Sequence, residues 1–328
     1  MIKAARYALT AGVLGYLGYR LTTIGWEQIW TSLPRTPWFY IIFLGMYLTL
    51  PLFQSVIYAL IFGLPVREIF PAALKKRVYN KDVMSYSGEV YLYFWARDRV
   101  EMSGRAIMHG IKDNAIISSI TSTLVAFGLL AVFFFSGLVI LPEFIAGHQV
   151  AYIVGAVVVG AVLVGLGIKF RRSILKLPGN TILALFGLHF FRLVIVQGLQ
   201  VTQWEVVAPQ IDINIWFTFL AVQIIGNSIP LIPSRDLVSV AAAIEVARAV
   251  QVPQALIAGL MGVHSLLDKS LNLILFAAVS VWDKESLQPA SKADELPDGF
   301  GPDTPEPAHE RAEAGEQPDQ VVSNPSAE

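Results

Sequence analysis

Long apolar runs separated by short polar stretches set the pattern of this chain. The clearest is WFYIIFLGMYLTLPLFQSVIYALIF, residues 38–62. A helix of that length crosses a hydrocarbon core of about 30 Å. Pro51 falls in its middle, where a missing N–H and a ring clash predict a kink. Further apolar runs cover 114–141, 150–169 and 181–204. A sixth begins near 214 and meets Pro230 and Pro233, a short seventh covers 237–250, and an eighth covers 254–282. A weaker first segment, 7–24, contains three glycines and Arg20. It follows Lys3 and Arg6 but lacks a small-residue cleavage site, so it reads as a retained helix. The pattern predicts an all-α, polytopic membrane helix bundle of seven or eight hydrophobic helices, some discontinuous or re-entrant.

Composition agrees with that pattern. Of 328 residues, 55% are hydrophobic and 15% charged, against about 25% charged in soluble domains. The near-zero net charge conceals an uneven division. Of the 25 acids and 24 bases, 12 acids and three bases fall after residue 282. Residues 1–282 are therefore expected to form a basic integral membrane domain. Residues 283–328, rich in Pro, Glu, Asp, Gly and Ser, are expected to be a disordered acidic tail. The basic connections at 64–105 and 169–176 alternate with 142–149 and 205–213, which have no Lys or Arg. That alternation places both termini in the cytoplasm. The stretch EVYLYFWARDRV in the first basic connection reads as an interfacial helix anchored by aromatics. The sharper alternative puts Glu89 and Arg97 at the mouth of a lipid pathway. With no cysteine, disulfides, thiol nucleophiles and Cys-ligated metal sites are excluded.

Ionisable side chains at membrane depth are costly and point to function. His189 and Arg192 lie three apart on the fifth run, and Lys112, Asp113 and Asn114 open the third. His264, Asp268 and Asn272, at i, i+4 and i+8, form a polar stripe on the eighth, with Lys269 beside it. His264 and Asp268 have a structural alternative, hydrogen bonding to each other or to a neighbouring helix. A metal site at that pair would lack further organised ligands. Glu245 and Arg248, three apart, read as a local ion pair. Arg192 sits too deep to snorkel, and its guanidinium suits phosphate; its structural alternative is a pairing with Asp268 or Asp236. In NSIPLIPSRDLVSV, residues 227–240, the two prolines free upstream carbonyls. A new helix is expected near Ser234, Arg235 and Asp236. Its positive end, helped by Arg235, favours an anion. Discontinuous helices of this kind line transporter sites.

Two stretches, SGEVYLYFWARDRVEMSGRAIMHGIKDNAIISS and GNSIPLIPSRDLVSVAAAIEVARAVQVPQALIAGL, together with the layout of 1–282, resemble the transmembrane region of the lysylphosphatidylglycerol synthase, or flippase-like, membrane family. Gly88, Glu89, Asp113, Asn227, Pro230 and Pro233 fit its motifs. His109-Gly110 replace an expected Glu-Arg, Ser234, Arg235 and Asp236 replace a glycine-rich turn, and Val240 stands near an expected Glu. The resemblance implies a polytopic helical bundle with re-entrant helices that moves or handles anionic or aminoacylated lipids; the reading adopted is a translocase or lipid-binding protein of the bacterial cytoplasmic membrane for anionic or isoprenoid-linked lipid. The family's aminoacyl-transfer domain has no counterpart here. On that reading Arg192 and Arg235 hold phosphate, while Glu89, Asp113, His189, Asp236, His264, Asp268 and Lys269 supply counter-charge or a polar pathway. An accessory scaffold for envelope-lipid biosynthesis, docking an enzyme through the tail, is the alternative. No nucleophile–base arrangement, HExxH pattern or P-loop is present, so no enzyme activity, cofactor or nucleic-acid partner is expected.

Overall fold

The structure, a computed structural model, describes residues 12, 15–83, 86–138, 155, 175–228 and 235–282, leaving aside the side chains of 82–83, 226–228, 235–237 and 279–282. Every regular element among these residues is helical. In chain order they are α1 (15–24), α2 (Trp26–Thr31), α3 (Pro37–Phe62), α4 (Val66–Val78), a π-helical turn (Tyr79–Val83), α5 (Ser87–Arg97) and α6 (Gly104–Phe135). Then come α7 (Gly179–Glu205), α8 (Ile213–Ser228), α9 (Arg235–Ala249) and α10 (Gln254–Trp282). Among the described residues, four segments are long and apolar enough to cross a membrane: α3, α6, α7 and Gln254–Ala278 of α10. The apolar part of α8, Ile213–Ile225, is shorter. The fourth apolar run, the two prolines of the 227–240 stretch and the acidic tail lie outside the described residues.

Local chemistry sets the helix ends. α3 opens with Pro37 in its first turn and closes on Gly63, which adopts the left-handed conformation (φ 71°) and donates its N–H to the Ala59 carbonyl at 2.9 Å. The helix continues through Pro51. α6 starts ten residues before the apolar run that announces it. Ser103 is its N-cap, with a hydroxyl accepting from the Ala106 N–H at 3.3 Å. Lys112, Asp113 and Asn114, expected to open this helix, therefore lie more than two turns inside it.

The basic connection 64–105 holds two helices and a π turn where the sequence suggested one interfacial helix. Its buried residues Ile69, Ala72, Leu92 and Ala96 pack with Tyr58 and Phe62 of α3 and Ile107 of α6. Two close approaches fix this layer. A Cβ on Gly88 would stand 2.3 Å from the Lys76 carbonyl oxygen, and one on Gly110 would stand 2.6 Å from Ile61 Cγ2. A second core gathers around Trp204, Trp216 and Phe219, whose rings contact one another, together with Phe39, Phe133 and α9 and α10. α3 packs on α7 and α4, α6 on α7, and α10 on α9 and α4.

Outward faces are apolar as well. Ile41 and Leu52 on α3, Leu183 and Phe191 on α7, and Leu273 and Ile274 on α10 are all exposed. An apolar exterior on helices of spanning length suits hydrocarbon. Trp26, Trp30 and Trp38, 60%, 74% and 62% exposed, cluster at the α2–α3 end. Indoles there match the preference of tryptophan for the headgroup level.

Candidate functional site

The polar stripe of α10 meets its partners across four other elements. Asp268, 8% exposed, accepts from Arg77 Nη2 of α4 on Oδ1 at 2.9 Å and from Lys81 Nζ of the π turn on Oδ2. Asn272 Nδ2 lies 3.5 Å from the same Oδ2, and Asn272 Oδ1 accepts from the Tyr47 hydroxyl of α3 at 2.6 Å. The Arg77 guanidinium lies over the Tyr47 ring, 3.9 Å from its centroid. This stacking fixes the cation that a buried carboxylate requires. Lys81 is more exposed, with 37% of its side chain open.

One turn earlier on α10, His264 Nδ1 stands 2.9 Å from Gln203 Oε1 of α7. The Gln203 amide is oriented by its other contacts. Its Nε2 donates to the Phe39 carbonyl at 3.1 Å and its Oε1 accepts from Gln200 Nε2 at 3.1 Å. The His264 proton is therefore on Nδ1. His264 and Gln200 border a cavity of about 110 Å³. Lys81, Asp268, His264 and Ser265 form one side, Gln200 and Trp204 of α7 another. Gln223 of α8 and Ser239 of α9 complete it, so the cavity lies where α8 and α9 meet α7 and α10. Ser239 is 8% exposed, and its buried hydroxyl has no hydrogen-bond partner.

A second polar network crosses five helices. His189 Nε2 of α7 donates to Asn114 Oδ1 of α6 at 2.9 Å. Asn114 Nδ2 donates to the Tyr58 hydroxyl at 2.9 Å and lies 3.3 Å from Gln54 Oε1, both on α3. Lys76 of α4 has its ammonium 5.7 Å from the Tyr58 ring centroid and 2.9 Å from Glu89 Oε1 of α5. Burial alone would lower the Lys76 pKa, but the Tyr58 oxygen and the Glu89 carboxylate oppose it, and the balance lies above the ordinary lysine value. The close approach at Gly88 brings Glu89 to this lysine. Asp113, fully buried, has a different task. Its Oδ2 accepts the backbone N–H groups of Lys176 and Leu177 at 2.6 and 2.8 Å, tying the segment before α7 to α6.

No family model, characterised protein or solved structure matches the chain. The geometry alone must therefore carry the functional reading.

That geometry divides the residues singled out in the sequence. His264 and Asp268 border the cavity, and Asn272 supports Asp268. His189 and Glu89 belong to the second network, with Asp113 next to it in α6. Arg192 lies one turn from His189 with its Nε buried and unpaired, and among the described residues no acid reaches it. Its alternative pairing with Asp268 is not what forms, because Arg77 and Lys81 hold that carboxylate. Lys269 is exposed and outside the cavity wall. α9 begins at Arg235 as expected, but the side chains of Arg235 and Asp236 lie outside the described residues. Arg97 is exposed at the end of α5. Glu245 pairs with Arg20 Nη2 of α1 at 2.5 Å and accepts from the Tyr16 hydroxyl at 2.5 Å, so the ion pair runs between helices and not to Arg248. Sequence reasoning passed over Arg77 and Lys81, which are two of many bases in a cytoplasmic-type connection. It also passed over Gln200 and Gln203, whose three-residue spacing in an apolar helix was an available signal.

Proposed function

We propose that this chain is a multi-pass membrane protein that binds and moves anionic or isoprenoid-linked lipid in a flippase-like manner. In this reading the described spans are part of a bundle of seven or eight hydrophobic segments, with α8 and α9 as the two halves of an interrupted element. The supporting observation is the polar cavity bordered by α8, α9, Asp268 and Lys81, in a molecule whose described outer faces are apolar. A charged and hydrogen-bonding interior is expensive in hydrocarbon, and it marks ligand or ion pathways. Placing it beside a broken helix is a recurrent arrangement in transporters. The cavity accommodates a headgroup fragment, so acyl or isoprenoid chains would remain in the bilayer. Arg192, whose span also exposes Phe191 and Val194, would meet phosphate on the lipid-facing side; Arg235 would do so at the start of α9.

The test is transbilayer movement of a fluorescent anionic phospholipid in vesicles containing the purified chain. Wild type should accelerate movement over protein-free vesicles, and Arg192→Ala should slow it about tenfold, the order expected for one charge-assisted contact. Equal rates for wild type and Arg192→Ala remove that residue's role. Equal rates with and without protein remove the translocation reading.

A further inference from the structure

We propose that the cavity between the π turn, α7, α8, α9 and α10 is a phosphate site in which Lys81 and Ser239 bind the phosphate oxygens. That the phosphate belongs to a lipid rests on the reading above; the site itself does not.

Three observations converge. The first is Ser239. Its hydroxyl is buried in the cavity wall without a partner, an arrangement that is costly unless another group completes it. Gln223 and Ser265 border the same space, and neither side chain forms a hydrogen bond with any described residue. All three can donate, which suits a ligand made of acceptors.

The second is charge. Arg77 and Lys81 face one carboxylate, Asp268. The group carries one positive charge in excess, and a phosphate diester supplies the missing negative one. The two cations differ in freedom. Arg77 is held by its stacking on Tyr47. Lys81 is the more open of the two, and its ammonium has three donors, of which Asp268 uses one. Lys81 can thus turn a second donor toward phosphate while Arg77 keeps Asp268 neutralised. Its place in a π-helical turn fits the frequent use of such turns at functional sites.

The third is size. A volume of about 110 Å³ is that of roughly three to four water molecules. That space admits a phosphate group.

The experiment measures the thermal unfolding midpoint of the full chain in detergent. One arm titrates phosphatidylglycerol in mixed micelles, a second titrates inorganic phosphate against chloride at equal ionic strength, and a third uses a phosphate-free galactolipid. Phosphatidylglycerol should raise the midpoint of wild type, with affinity about tenfold weaker in Lys81→Gln and in Ser239→Ala. If inorganic phosphate gives the same rise and the same losses, the site stands and its ligand is the free ion. Ser239→Ala deletes only an unpaired oxygen and should not lower the ligand-free midpoint, so it remains informative if Lys81→Gln fails to fold. An equal response to the galactolipid, unchanged affinities in the variants, or no response to either phosphate source overturns the site. Lipid movement that persists while both variants bind like wild type discards this site alone. Phosphate binding without lipid movement discards the translocation reading alone.

Discussion

Asp268 is a carboxylate almost removed from solvent and paired with the two cations that face it. Breaking a buried pair by deleting one partner leaves uncompensated charge, at a cost of about 3–5 kcal/mol. Asp268→Ala should lie toward the lower end, because Lys81 is partly exposed and can turn to water while Arg77 cannot. Asn272→Ala, which deprives the Tyr47 hydroxyl of its acceptor, should cost about 1–3 kcal/mol. Chemical or thermal unfolding in detergent gives the order; a larger loss for Asn272→Ala would mean that the hydrogen bond to Tyr47, not the ion cluster, secures α10. The stripe of which Asp268 is part was legible in the sequence, since polar residues at i, i+4 and i+8 in an apolar helix must share one face. Its cations were not. A lysine that neutralises a buried carboxylate and one that orients a loop toward the cytoplasm are the same letter in the same basic stretch. Only the fold distinguishes Lys81 from Lys75.

At the scale of elements, α4, the π turn and α5 form a docked layer that brings Lys81 to the cavity and Glu89 to Lys76. Gly88 is the contact on which that docking turns. Its N–H donates to Asn80 Oδ1 at 2.7 Å, and a methyl group there would collide with the Lys76 carbonyl. Gly88→Ala should therefore destabilise the protein by about 1–3 kcal/mol through forced displacement. It should also loosen the layer as a unit, so hydrogen exchange should rise in both α4 and α5. Exchange confined to α5 would show that the layer is not one cooperative piece. The apolar runs located α3, α7, α8, α9 and α10 to within a few residues, because length and hydropathy decide those helices. α4 escaped notice because its apolar residues are interspersed with charge, and the start of α6 because its first turns precede the apolar run and depend on the Ser103 cap.

On the scale of the whole molecule, the described residues hold two buried polar assemblies with different characters. The His189 network links side chains of five helices, whereas the α10 cluster borders open space with the unpartnered Ser239 hydroxyl in its wall. A scaffold needs the first, and a ligand needs the second. The three exposed tryptophans near the α2–α3 junction add a constraint on where that space lies. Indoles that settle at one interface fix the vertical position of α3, and with it the depth of everything α3 packs against. A reconstituted protein should then work best at one membrane thickness. Lengthening or shortening the acyl chains of the vesicles should lower the rate of lipid movement on either side of that optimum, and substituting Trp26, Trp30 and Trp38 together by leucine should flatten the profile. Hydrophobic mismatch would thus act as a tuning variable for the bundle, set by three side chains that are no part of the cavity wall.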